Sequence, residues 1–219
     1  AVAKDGYQVM VECECMSIRK NRQNVVQSGL QSALQSMTFD SYVCTEPWQE
    51  RAKTTAKNFA DKQDGRWLYM SGQSGAGKTH LCTAVCGVLL DRGVSVRYEM
   101  WRTLYMEMQR FDTRDQKFQQ ISDCDVLYID DFLKSAAVKP DTETGKLARP
   151  DRDTQKELNT AFEIVNDRYA KNKITIISSE IFLSDLFSLD AALAGRIRER
   201  CGGFVSQISN GNSRNYRLR

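Results

Sequence analysis

The segment that most restricts what this chain can become runs from Tyr69 to Leu90, YMSGQSGAGKTHLCTAVCGVLL. An apolar run leads into Gly72-Gln73-Ser74-Gly75-Ala76-Gly77-Lys78-Thr79, and a second apolar run follows. The octet fits G-x-x-x-x-G-K-[ST], a pattern that cradles phosphate. The glycines let the main chain curl so that several N–H groups point inward at phosphate oxygens, and a Cβ at Gly77 would crowd that approach. The helix expected to open at Lys78 presents unpaired N–H groups and the positive end of its dipole. Lys78 is placed for the β- and γ-phosphates, the Thr79 hydroxyl for Mg²⁺, and His80 completes the binding stretch. A strand before the loop and a helix after it are the required setting, and both are expected here. The stretch predicts a nucleoside-triphosphate site.

A second cluster supports that reading. VLYIDDF places Asp130 and Asp131 at the carboxyl end of an apolar strand. Ligands of parallel sheets sit outside such strand ends, so both carboxylates are expected in the crevice of the glycine loop. Asp130 would hold Mg²⁺ through water, and Asp131 would orient or activate an attacking water. Glutamate is more usual at the second position, and the shorter aspartate predicts slow hydrolysis or tight closure. A nucleotide kinase would need an arginine-rich lid. The basic residues of Lys134–Arg152 are offset by acidic ones, so an ATPase is the better reading.

The remaining pattern alternates strands and helices, which predicts an α/β fold with a largely parallel sheet covered on both faces. Ala52–Asp61 reads as a helix. Lys78–Asp91 reads as another, with Leu81, Ala84, Val85, Val88 and Leu89 at helical spacing. VSVRYEM is a strand, and Trp101–Phe111 a helix with Leu104, Met108 and Phe111 on one side. Lys134–Arg152 lacks periodicity and reads as a loop. Thr154–Lys171 is amphipathic, with Leu158, Ala161, Phe162, Val165 and Tyr169 inward. KITIISSE is a buried strand, Ser184–Arg200 one or two helices, and FVSQISNGNSRNYRL a C-terminal β-hairpin turning at Asn210-Gly211. TIISSE ends in Ser178, Ser179 and Glu180, any of which can sense a γ-phosphate, and Ser179 is taken as the candidate. Residues 1–37 are polar and mixed, with a short helix within NVVQSGLQSALQ.

A length of 219 residues fits one ordinary domain with an appendage. No run of ~18 apolar residues is present, so no transmembrane helix is expected. Seven irregularly spaced cysteines, with Cys82, Cys86 and Cys124 in apolar patterns, predict small buried thiols and a reducing, cytoplasmic setting. Cys13 and Cys15 form one close pair in polar sequence. A zinc site needs four ligands, so zinc is expected only if an upstream module supplies the others.

Thr38-Phe39-Asp40, SGQSGAGKTHL, VLYIDDF, TIISSE, LAGRIRER and GNSRNYR occur in one order over about 180 residues. In this the chain resembles the bacterial replicative-helicase loaders of the DnaC/DnaI type, AAA+ ATPases related to DnaA and to the transposition helper IstB. The resemblance implies a P-loop NTPase of the AAA+ type over 38–219, with a five-stranded parallel sheet flanked by helices. Residues 1–37, with Cys13, Cys15, Arg19, Lys20 and Arg22, look like the tail of the family's cysteine-rich helicase-interaction module. Arg196 looks like an arginine finger acting in trans on a neighbouring subunit. Sensor I falls at the end of TIISSE, where Glu180 stands in place of the usual Asn. Family members bind single-stranded DNA, and Arg97, Tyr98, Trp101 and Arg102, with Tyr105 nearby, are candidates for phosphate and base contact.

The expected function is an ATP-dependent loader that places a replicative helicase hexamer on single-stranded DNA. ATP and Mg²⁺ would switch self-assembly and DNA grip. The rivals are an IstB-type transposition helper and an ATP-bound adaptor with little hydrolysis.

Overall fold

The computed structural model describes residues 2–4, 7–9, 30–62, 64–134, 150–209 and 211. Expectations for Cys13, Cys15, Arg19, Lys20 and Arg22, for residues 135–149, and for the return arm after Gly211 lie outside the described residues. Near the start, β1 (Val2–Lys4) pairs antiparallel with β2 (Tyr7–Val9).

The rest is built on a five-stranded sheet: β3 (Leu68–Gly72), β4 (Val96–Met100), β5 (Val126–Phe132), β6 (Ile174–Ser179) and β7 (Val205–Ile208). The strand order is β4-β5-β6-β3-β7, and every pairing is parallel. A parallel sheet covered on both faces needs strands that are apolar on both sides. Strand alternation then sends neighbours to opposite cores. Leu68, Met70, Val126 and Tyr128 join one core, while Tyr69, Leu127 and Ile129 join the other. Each fully buried large apolar side chain contributes ~1.5–3 kcal/mol.

The first core is covered by α1 (Gln31–Ser36), α2 (Pro47–Asp61) and α3 (Lys78–Asp91). Helix α3 begins and ends where the sequence predicts. It is buried on most sides, which suits a helix pressed between the sheet and two other helices. Helix α2 starts earlier than Ala52, because Pro47 takes the first helical turn and Glu46 and Gln49 form a reciprocal capping box. Leu30 and Leu34, on the segment read as a separate module, pack into this core.

The other face is covered by α4 (Trp101–Met108), α5 (Arg114–Asp123), α6 (Arg152–Ala170), α7 (Leu183–Leu189) and α8 (Ala191–Cys201). Asp151 caps α6 by accepting from Thr154 N at 2.7 Å. Asp190 caps α8 through Ala192 N and Leu193 N, which splits Ser184–Arg200 into two helices. On α6, Leu158, Ala161 and Val165 are buried, while Phe162 and Tyr169 sit half-buried at its edge.

Two expectations need correction. Helix α4 closes at Met108, where Gln109 N bonds back to Tyr105 O and Met106 O, so Phe111 lies fully exposed beyond it rather than on its buried face. The expected first hairpin arm forms β7, bonded in parallel to β3, and the arm that would return lies outside the described residues. Cys82 and Cys86 are buried as expected, but Cys124 is only half-buried, its thiol donating to Ile121 O.

Arg168, one charge among many on an amphipathic helix, is 1% exposed. Its guanidinium donates to Thr175 Oγ1 at 3.0 Å and to the carbonyls of Ile121, Cys124, Asp125 and Ile174. Burial lowers its pKa, and the carbonyl ring offsets the lost hydration. It ties the α5–β5 turn to the α6–β6 turn. Among the described residues no helix is long and apolar enough to cross a membrane.

Candidate nucleotide-binding site

The loop between β3 and α3 opens at the carboxyl edge of the sheet. Gly72 ends β3 with φ +143°, and a Cβ there would stand 2.4 Å from Ile208 O, so only glycine lets β7 close on this strand. Gly77 has φ +82°, and its Cβ would meet Tyr42 Cε2 at 2.9 Å. The loop thus needs glycine at these two positions for its own packing, before any ligand is considered.

Lys78 opens α3 and is almost wholly buried. Its Nζ donates to Gly72 O at 2.7 Å and Gln73 O at 2.8 Å, so the ammonium is held over the loop. Burial pushes its pKa below the usual lysine value, and the carboxylates of Glu180, Asp131 and Asp130 oppose that shift. A desolvated ammonium attracts a phosphate more strongly than one in bulk water. Gln73 spends its side chain elsewhere: Nε2 donates to Gly211 O at 2.9 Å, and Gly211 N donates to Oε1 at 2.7 Å.

Asp130, 7% exposed, gathers donors from four elements. Thr79 Oγ1 donates to Oδ1 at 3.2 Å, and Asp131 N at 3.1 Å. Ser178 Oγ donates to the same oxygen, and Tyr98 OH to Oδ2 at 3.3 Å. Burial, then the Asp130 charge, pushes the Tyr98 phenol well above its usual pKa, so it stays a donor. A hydroxyl and a carboxylate side by side are hard oxygen donors that fit Mg²⁺. Among the described residues no group of three or more His, Cys, Asp or Glu side chains is placed to hold a metal ion, and nothing there supports zinc.

In a regular strand Asp130 and Asp131 would point to opposite faces. The structure resolves this with a bulge: Ile129 pairs with Ile177, but Phe132 pairs with Ser179, so β5 carries one extra residue. Asp131 takes φ +54° and Leu133 φ +57°, conformations that cost non-glycine residues ~1–3 kcal/mol each. Both carboxylates consequently face the same cleft. Lys134 follows, and its Nζ bridges Asp131 Oδ2 at 2.9 Å and Glu180 Oε1 at 3.3 Å. The Asp131 bond raises the Lys134 pKa.

The cleft measures about 700 Å³ and is lined by the stretch from Ser74 to His80 together with Asp130, Asp131, Lys134 and Glu180. Small-molecule pockets span ~300–1,000 Å³. Its other wall is Met37, Ser41, Tyr42, Val43 and Thr45, none of which the sequence analysis assigns to the site. His80 fastens that wall: its Nε2 donates to Thr38 O at 2.8 Å, and its ring meets Tyr42 edge-on at 5.1 Å. Tyr42 stands 30 residues before Gly72 in the sequence, so no local pattern ties this wall to the loop.

Other expected site residues lie elsewhere. Ser179 is fully buried and off the cleft: its Oγ donates to Phe132 O at 2.8 Å and accepts from Ile181 N at 3.0 Å. Ser178 is the hydroxyl at Asp130, and Glu180 is the cleft residue at the end of TIISSE. Trp101 is fully buried, edge-on to Phe132, so it offers no face to a base. Tyr98 turns to Asp130. Arg97 is bonded to Glu99 at 2.7 Å and Gln120 at 2.8 Å. Arg102 alone of these four is exposed. Arg196 does not line the cleft: its guanidinium lies 4.6 Å over the Phe162 ring and donates to Asn166 Oδ1 at 2.9 Å.

Residues 9–219 match the family described as IstB-like ATP binding protein. The phage-like element PBSX protein XkdC of Bacillus subtilis is 28% identical over 222 residues, spanning 93% of this chain and 76% of its own length. The replicative helicase loader DnaC of Escherichia coli is 30% identical over 114 residues, 48% of this chain and 46% of that protein. The crystal structure of DnaI superposes with a TM-score of 0.62 at 21% identity, over 82% of this chain and 92% of that one, a likeness of fold. With the glycine loop, the acidic strand end and the five-stranded parallel order already in place, this chain belongs to the IstB-like ATP-binding proteins, within the DnaC/IstB type of P-loop AAA+ fold.

Proposed function

We propose that this chain is an ATPase that places a replicative DNA helicase on single-stranded DNA. The observation that carries the ATP part is the convergence of Lys78, Thr79 and Asp130 on one cleft at the strand ends. Lys78 exchanges its bonds to Gly72 O and Gln73 O for phosphate oxygens, and the loop amides take the rest of the polyphosphate. Thr79 and Asp130 would hold Mg²⁺, which would supply a charge to offset that of the phosphates. Asp131 accepts the proton of a water whose oxygen attacks the γ-phosphorus as the bond to ADP breaks.

The helicase part is supported by the 30% identity to DnaC. Arg196, which lies outside its own cleft, is the residue assigned by the family resemblance to serve a neighbouring copy. Arg196→Ala should keep ATP binding and lose the hydrolysis that depends on assembly. Unchanged hydrolysis by assembled Arg196→Ala would remove that role. The partner is tested by capture from the native cell with ATP present: a replicative helicase hexamer supports the reading, and a transposase replaces it with an IstB-type helper. An adaptor that hardly hydrolyses ATP is favoured by the Lys134 bridge on Asp131. Turnover stimulated by single-stranded DNA and lost in Lys78→Ala excludes that alternative.

A further inference from the structure

We propose that Lys134 reads the γ-phosphate in this chain, with Glu180 as the residue that positions it. The proposal rests on the nucleotide reading of the cleft. Glu180 stands at the end of β6, and as a carboxylate it is acceptor-only. It has no proton to donate to a phosphate oxygen, so it cannot read a triphosphate directly. Left alone in the cleft it would also repel one. Yet it lines the cleft beside Asp131, and the described group between them is an ammonium, Lys134 Nζ, 2.9 Å from Asp131 and 3.3 Å from Glu180.

The backbone explains how the lysine gets there. Leu133 is fully buried at φ +57°, so the turn after β5 is pinned in the core and sends the next side chain back over the strand ends. The Lys134 side chain is 47% exposed, which leaves it free to exchange one carboxylate for a phosphate oxygen. Lys78 lies across the same cleft and feels the charges of Glu180, Asp131 and Lys134. The two ammonium groups therefore approach the cleft from different elements, the loop side and the strand-end side. A third phosphate completes a bridge between them, and a diphosphate falls short of the second.

The test is equilibrium binding of ATP and of ADP, each with Mg²⁺, read before appreciable turnover. Lys134→Met should weaken ATP about tenfold, the worth of one charge-assisted contact. ADP affinity should stay within about twofold. Glu180→Gln should reduce the ATP-over-ADP preference about threefold, and Lys134→Arg should keep it. Lys134→Gln serves as the second neutral variant should the methionine variant fold poorly. A preference unchanged in the neutral Lys134 variants, or an equal loss of both nucleotides, overturns this assignment while leaving the nucleotide site intact. Wild-type protein that binds neither nucleotide overturns the cleft reading and this inference together.

Discussion

The nucleotide cleft and the β4–α4 edge were both read from short runs of suggestive residues, and they came out differently. In the cleft, Gly75, Gly77, Lys78, Thr79, His80, Asp130 and Asp131 line one space. At the edge, Arg97, Tyr98, Trp101 and Arg102 scatter to an ion pair, the Asp130 carboxylate, the core and solvent. The loop motif specifies a backbone path, so the destinations of its side chains follow from it. A mixture of basic and aromatic residues specifies no path, and each side chain goes where packing sends it.

The largest effect that can break this contrast is at Trp101. Trp101→Ala should cost ~3–5 kcal/mol of stability by emptying the core beside Phe132, seen by denaturant unfolding. Unchanged stability with a selective loss of single-stranded DNA affinity would return Trp101 to the binding surface. Next come the two serines. Ser179→Ala leaves Phe132 O and Ile181 N without their partner and should cost ~1–3 kcal/mol, with turnover per folded molecule nearly unchanged. Ser178→Ala should cut turnover about tenfold through a loosened Asp130, with little change in unfolding midpoint. The reverse pattern in those two assays would contradict the assignment of the hydroxyls. The smallest effect is at Arg102. Arg102→Ala should shift stability by no more than ~0.5 kcal/mol. If it touches DNA, the slope of log affinity against log salt should fall by about 0.7, one single-strand phosphate. An unaltered slope would leave this edge with no DNA contact among the four candidates.

What could be read in advance follows the same division. The bounds of α3, the alternation of strands and helices, and the strand-end aspartates are written in local periodicity and in one loop pattern. Which of Ser178 and Ser179 reaches Asp130 is not, because it depends on the extra residue in β5 that shifts pleat phase between Ile129 and Phe132. The wall of Met37, Tyr42 and Val43 depends on a turn far from the loop in sequence and fastened to it by His80. Lys134 lay at the start of a segment read as a loop, and its place follows from two left-handed residues that no periodicity announces. Arg168 looked like one more charge on an amphipathic helix, and only the meeting of two distant turns makes it a buried clamp.

The measurement that bears most directly on the whole account is calorimetric titration of ATP with Mg²⁺ into the folded chain and into Lys78→Ala. One saturable site per chain, weakened roughly 30- to 150-fold in the variant, is the predicted result, since Lys78 supplies a buried charged contact of ~2–3 kcal/mol. Absence of saturable heat in the wild type, or equal affinity in both proteins, would contradict it.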